Sequence, residues 1–292
     1  MRIEDALDRF VTQLRADGRS DHTILQYQRH VHAMTRWLAA ESRPDKIAAI
    51  THEVVAAFLV SPAAGCRPDG AAKKATSTNA LRSSLRGFFG YLHRAGYIGT
   101  DPTRLVRRAR CSPPPPRALG DDEQRRLLGA LDAATTEAEH RDAMLIRLLL
   151  GTGIRIGSAL GLDIEDVDLD GASLLLRSTK GDRPMRAVVP AHLVPHLRAY
   201  LAGRAGGPVF PGAGRQGRLT ARHAQRRFEA WLGRAGIERH ASLHALRHTL
   251  ATGLYRRTGD LALVQAALGH RSIASTLIYA RVDEGRLRAA MG

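Results

Sequence analysis

The sequence predicts a two-domain, mainly α-helical protein with a small antiparallel β-sheet in its second domain. Three observations carry this expectation. Apolar residues recur at helical spacing through residues 1–107. A proline run, Pro113–Pro116, then interrupts the chain; proline cannot continue a helix and a run of it is held extended. Between residues 167 and 189 short apolar runs alternate with turn residues, the pattern of paired strands.

The first domain, residues 1–107, reads as four helices. Ile3, Ala6, Leu7, Phe10, Val11 and Leu14 line one face of the first, and Gly18 stops it. Ser20 or Asp21 caps a second, faced by Ile24, Tyr27, Val31 and Met34. A third runs near His52–Leu59. A polar loop, Ser61–Ala75, follows, with Lys73 and Lys74 near its end. Ser77 or Thr78 opens the fourth, which runs through Leu81, Leu85, Phe88, Phe89 and Leu92 to Gly96.

Residues 108–119 read as a Pro-rich linker. A polyproline spacer over Arg110–Leu119 reaches about 30 Å at ~3.1 Å per residue; an ordinary surface loop is the plain alternative. The second domain, residues 120–292, opens at Gly120-Asp-Asp-Glu, an acidic helix N-terminus. Helices extend to Leu150. Val167–Leu169, an Asp170-Gly171 turn, Leu174–Leu176, a turn at Gly181–Pro184 and Ala187–Val189 then form the sheet. From Thr220 onward the pattern is helical.

Composition narrows the function. Of 292 residues 44% are hydrophobic but only 5% aromatic, so the core is expected to be mainly Ala, Leu, Val and Ile. The net charge is +16, which calls for a polyanionic partner. Residues 1–110 hold 18 Lys+Arg against 10 Asp+Glu, and residues 111–292 hold 26 against 18. Each half therefore carries +8, which suits gripping a duplex from two sides better than a basic tail does. An acidic membrane surface is the alternative, but no basic amphipathic helix with exposed aromatics is found. Cys66 and Cys111 stand alone, without disulfide or zinc spacing. The charged start, Met1-Arg-Ile-Glu-Asp, is unlike a signal peptide, and Ala143–Leu150 is too short to span a bilayer. A cytoplasmic, nucleoid-associated protein is expected.

Four pieces of the second domain concentrate chemistry. Gly151-Thr-Gly-Ile-Arg155 breaks an apolar helix and sets Arg155 at the mouth of the next. Ser178-Thr-Lys180-Gly-Asp puts a lysine in a hairpin connection. His244-Ala-Leu-Arg247-His248 places His244 and Arg247 on one helix face. Leu268-Gly-His270 precedes Tyr279 by nine residues from the histidine. Taken singly, Arg155 is a surface arginine, Lys180 a solvated turn residue and Tyr279 helix packing. Lys180 stands apart because the chain has forty arginines but four lysines, and Lys180 alone lies beyond residue 74. Of the two basic side chains only lysine can give up its proton, since guanidinium does not deprotonate in proteins. His240, His244 and His248 also fall at i, i+4, i+8, a possible metal face. Position 245 is Ala, not the Glu of a zinc hydrolase, and neighbouring arginines repel a cation.

In this order and spacing the pieces resemble the tyrosine recombinase (phage integrase) family over nearly the whole chain. Thr152-Gly-Ile-Arg155 resembles its first arginine box, Lys180 its hairpin lysine, His244-Ala-Leu-Arg247 its His-x-x-Arg box, and His270 with Tyr279 its second histidine and nucleophile. The resemblance implies a SAM-like helical core-binding domain followed by an α+β catalytic domain. It implies catalysis by Arg155, Lys180, His244, Arg247, His270 and Tyr279, with DNA contacts at Thr23, Lys73, Lys74, Asn79 and Arg82. No metal or other cofactor is implied. The expected partners are double-stranded DNA and further recombinase subunits, as a homotetramer or a mixed tetramer. Two departures stand out: Ser158 replaces the usual acidic residue three after the first arginine, and Ala245 replaces a common Asp. The ending Thr276-Leu-Ile-Tyr279-Ala-Arg-Val is similar to Xer-type and transposon integrases, and no arm-binding domain is expected before residue 1. The nearest alternatives are a type IB topoisomerase and a catalytically inactive DNA-binding protein.

Overall fold

The computed structural model describes residues 1–111, 118–177, 184–269, 272–273 and 276–279. The chain divides into two compact units, Met1–Pro113 and Pro114–Gly292.

In the first unit the apolar stripes become α1 (Ile3–Ala16), α2 (Asp21–Ala40), α3 (His52–Val60) and α5 (Ala75–Arg94). Ser20 caps α2 by accepting a hydrogen bond from the Thr23 amide, and Thr51 caps α3 through Val54. The loop expected at 61–75 holds a short helix, α4 (Pro62–Gly65), because Pro62 is pre-set for a first helical position. Helix α5 begins at Ala75 after an extended Lys74, earlier than the Ser77 or Thr78 start expected.

This core is built mainly from Ala, Leu, Val and Ile, as composition suggests, with a cluster of aromatics set among them. The few aromatics are concentrated: Phe10 meets Tyr27 edge-on at 5.0 Å, Phe88 at 5.7 Å and Tyr91 at 5.1 Å, while Trp37 meets Phe58 at 5.4 Å. Gly87 makes room for this cluster, since a Cβ there would lie 2.7 Å from the Tyr27 hydroxyl.

The second unit begins with α6 (Asp121–Asp132), α7 (Glu137–Thr152) and α8 (Ile156–Leu160). Glu123 accepts from the Gly120 amide at the start of α6 and is clamped by both ends of the Arg239 guanidinium, which hold its carboxyl down at about 2. Strands β1 (Val167–Asp168), β2 (Ser173–Leu176) and β3 (Met185–Val188) form an antiparallel sheet in sequence order. Leu174 pairs with Val167 on one side and Ala187 on the other, burying Leu174, Leu176 and Ala187. In the first hairpin the left-handed position falls on Ala172 (φ 46°) rather than on the Asp-Gly pair. Then come α9 (Val194–Leu201), α10 (Ala221–Arg234), α11 (Leu243–Thr258) and α12 (Leu261–Leu268). The core gathers apolar residues of α6, α7, α10, the sheet and the start of α11. Among the described residues no helix is long and apolar enough to cross a membrane.

Candidate active site

Helix α7 carries Met144, Leu145, Ile146, Leu148 and Leu149 into the core, and it must stop abruptly to release Arg155. Gly153 stops it in the left-handed conformation (φ 64°), with its amide bonded back to Leu149. Here glycine is required twice over. An L side chain is strained at that φ, and a Cβ would stand 2.7 Å from Leu250 and 2.9 Å from Leu268. Two residues later Arg155 takes the extended N-cap position of α8 and is exposed.

Arg247 projects from α11 and is only 3% exposed. Its guanidinium donates to the Gly153 carbonyl at 2.6 Å and to the Leu268 carbonyl at 2.7 Å. One side chain thus ties together the turn before Arg155, its own helix and the C-terminus of α12. Two of its five N–H groups are used this way, and the acceptors are backbone. Ala245, two residues earlier on the same helix, is packed in the core. Burial lowers the Arg247 pKa to about 10, with nearby Arg155 adding to the effect, so the group stays cationic at neutral pH.

Gly269 ends α12, again left-handed (φ 59°), and Met185 of β3 packs so closely on it that a Cβ would lie 2.3 Å from the sulfur. This contact joins the β2–β3 hairpin to the end of α12. Lys180, in the segment between β2 and β3, and His270, immediately after Gly269, lie outside the described residues.

Tyr279 ends a short 3₁₀ turn, Leu277–Tyr279, and is 6% exposed. Burial raises its pKa, and Arg247 works against that rise. Its hydroxyl lies 2.7 Å from Nδ1 of His248. His244, one turn earlier on α11, packs edge-on against the His248 ring at a centroid distance of 4.5 Å. Its pKa is lowered, first by burial and then by Arg247 and Arg155. The imidazole in contact with the tyrosine hydroxyl is thus that of His248, with His244 packed behind it. The sequence alone places His248 beside Arg247 and in a possible metal-ligand series, with nothing to link it to the tyrosine. The third member of that series, His240, precedes α11 rather than lying on it, and stands 3.8 Å from Glu229. Among the described residues no three His, Cys, Asp or Glu side chains gather as metal ligands.

The structure thus brings together Arg155 from the start of α8, His244 and Arg247 from α11, and Tyr279 from the 3₁₀ turn. The positions expected to meet DNA in the first unit fare unevenly. Thr23 sits in the first turn of α2, its hydroxyl 3.0 Å from Ser20. Lys74 is exposed, and Arg82 is partly so. Lys73 donates to the Ala63 and Ala64 carbonyls at 3.3 and 3.0 Å, closing the end of α4. Asn79 requires correction: it is 2% exposed, and its amide both donates to and accepts from the Ala109 backbone, at 2.9 and 2.8 Å. It clamps the end of the unit and leaves no free group for DNA.

Comparison with known proteins bears on this arrangement. Residues 117–286 match the phage integrase family, and residues 7–96 match the phage integrase N-terminal SAM-like domain. Tyrosine recombinase XerC of Xylella fastidiosa (strain 9a5c) is 33% identical over 270 residues, spanning 91% of this chain and 88% of the relative. XerC of Mycobacterium sp. (strain JLS) is 31% identical over 301 residues, spanning 98% and 96%. Among solved structures, the XerH site-specific recombinase in its post-cleavage complex with palindromic difH substrate has the same fold. Its TM-score is 0.76 at 24% identity, covering 98% of this chain and 83% of that one. The expected fold class, a SAM-like helical domain followed by a catalytic domain with a small sheet, holds. On the family match over most of its length, this chain belongs to the phage integrase family of tyrosine recombinases, whose activity is the cleavage and rejoining of DNA strands.

Proposed function

We propose that the protein is a site-specific recombinase that exchanges strands of duplex DNA through a 3′-phosphotyrosyl intermediate on Tyr279. The reading is carried by one observation: a buried tyrosine hydroxyl within the electrostatic reach of Arg247, itself beside Arg155. Phosphoryl transfer builds charge on the non-bridging oxygens, and forked guanidiniums meet those oxygens in pairs. Arg155 and the free N–H groups of Arg247 take that role. Tyr279 Oη bonds to phosphorus as the bond to the 5′-oxygen breaks, and the phosphotyrosine keeps the bond energy for rejoining. Lys180 protonates the leaving 5′-oxygen, His270 donates to the phosphate, and His244 assists proton handling around Tyr279.

Strand exchange between two duplexes implies a Holliday junction and four subunits, of one recombinase type or two. A lambda integrase tetramer bound to a Holliday junction has the same fold. Two biological roles fit this chemistry, Xer-like resolution of chromosome dimers and integration or excision of a mobile element; the XerC name of the relatives supports an Xer-like recombinase. The work would then be done at the nucleoid.

The test uses a nicked duplex carrying the site that the protein itself selects from its own genome by binding. The unaltered protein is expected to give an SDS-resistant adduct. Tyr279→Phe is expected to bind the same DNA and give none. An adduct from that variant would remove Tyr279 as nucleophile and direct attention to Tyr255.

A further inference from the structure

A phenol is a poor nucleophile until its proton leaves, and burial makes that departure harder at Tyr279. Some group at the oxygen must receive the proton. Lys180 is committed to the leaving 5′-oxygen, for which it must hold its proton, and an ammonium carries no acceptor. Among the described side chains, the one hydrogen-bonded to the Tyr279 hydroxyl is His248, with Nδ1 at 2.7 Å. That lies within the range for direct proton transfer.

We propose that His248 is a catalytic residue of this enzyme, the base that takes the Tyr279 proton. The inference rests on Tyr279 being the nucleophile. In the forward step the Tyr279 oxygen forms its bond to phosphorus, its proton passes to Nδ1 of His248, and the bond from phosphorus to the 5′-oxygen breaks. In the reverse step the 5′-hydroxyl attacks the phosphotyrosine, and the His248 imidazolium returns the proton to the departing phenolate. No further reactant is consumed. Two features of the fold prepare this arrangement. His248 follows Arg247 directly on α11, so the helix that fixes the buried guanidinium also fixes the imidazole. His244 packs edge-on against the His248 ring and restrains its rotation.

The experiment measures single-turnover adduct formation on the same self-selected nicked duplex, with DNA binding followed in parallel. His248→Ala removes both the hydrogen bond and the base. His248→Asn keeps a polar group near the position of Nδ1 but accepts no proton. Both variants are expected to bind the duplex as the unaltered protein does and to form adduct on the order of 100-fold more slowly. An Asn variant as fast as the unaltered enzyme would overturn the proposal, because the contact would then only orient the hydroxyl. An Ala variant as fast or faster would overturn it as well, making the contact idle or a restraint on the nucleophile. If Ala does not fold well enough to bind DNA, the Asn variant decides alone. Tyr279→Phe, run alongside, separates the two claims: adduct from it defeats the nucleophile assignment, whereas its silence beside fast His248 variants defeats only the base.

Discussion

A guanidinium buried to the depth of Arg247 is costly unless its N–H groups find acceptors. Here the acceptors are the carbonyls of Gly153 and Leu268, on either side of the site. The geometry of one depends on Gly153 keeping a positive φ. Gly153→Ala is therefore expected to destabilise the protein by more than about 1–2 kcal/mol, the cost of a left-handed L residue, since the added Cβ also crowds Leu250 and Leu268. Because the Gly153 turn also aims Arg155, adduct formation should fall further than DNA binding. Urea unfolding with single-turnover cleavage checks both, and an Ala variant with unchanged stability and rate would show that the turn is not needed. This scale also marks what the sequence made legible. Arg155, His244, Arg247 and Tyr279 are singled out by the family resemblance, which rests on their types, order and spacing. The carbonyl brace was not, since backbone acceptors are common to every residue. Nor was the contact of His248 with Tyr279, which exists only once residues 276–279 fold back on α11.

Helices were legible wherever an apolar stripe faced a core, as in α1, whose six buried residues are the six that periodicity picks out. Short elements without such a stripe, α4 and the start of α5, were not. The pairing of α2 with α5 has a consequence that periodicity hides. His30 on α2 places Nδ1 2.8 Å from the Ser84 hydroxyl on α5. Burial, reinforced by Arg29 and Lys73, lowers its pKa from 6.5 to about 4. Below pH 6.5 an unfolded chain protonates His30 while the folded chain does not, so unfolding takes up a proton. Stability from this residue is complete above pH 6.5, falls as the pH drops from 6.5 towards 4, and is level below. With allowance for partial exposure, the loss is on the order of 1–2 kcal/mol. His30→Asn, which can still bond Ser84, should lose less stability between pH 7 and 4.5 than the unaltered protein. Parallel slopes in urea unfolding across that range would count against this account of the seam.

For the whole molecule, each half of the sequence carries the same net charge, +8, as expected of a protein whose two units both bear on DNA. Binding to one site needs those charges but no second subunit, whereas strand exchange needs subunits to meet. The sequence offers a candidate for that meeting in residues 280–292, which lie outside the described residues. Val282, Leu287, Ala289, Ala290 and Met291 recur there at roughly helical spacing among Arg281, Arg286 and Arg288. A helix of that length is in general marginal alone and gains stability by packing on a surface. Packing on its own unit would make the segment a stabilising element. Packing on a neighbour, repeated around the proposed tetramer, would let each subunit sense the state of the next, beside the nucleophile that must fire in only two of four sites at once. Deleting Glu284–Gly292 distinguishes these outcomes. The second predicts nearly unchanged binding to a single site, with fewer synaptic complexes and less recombinant product. A gel-shift series resolving one-site, two-site and synaptic species, run beside a recombination assay, makes the measurement. Normal synapsis and recombination by the truncated protein would sink the neighbour-docking idea, and loss of single-site binding with lowered stability would return the segment to its own subunit.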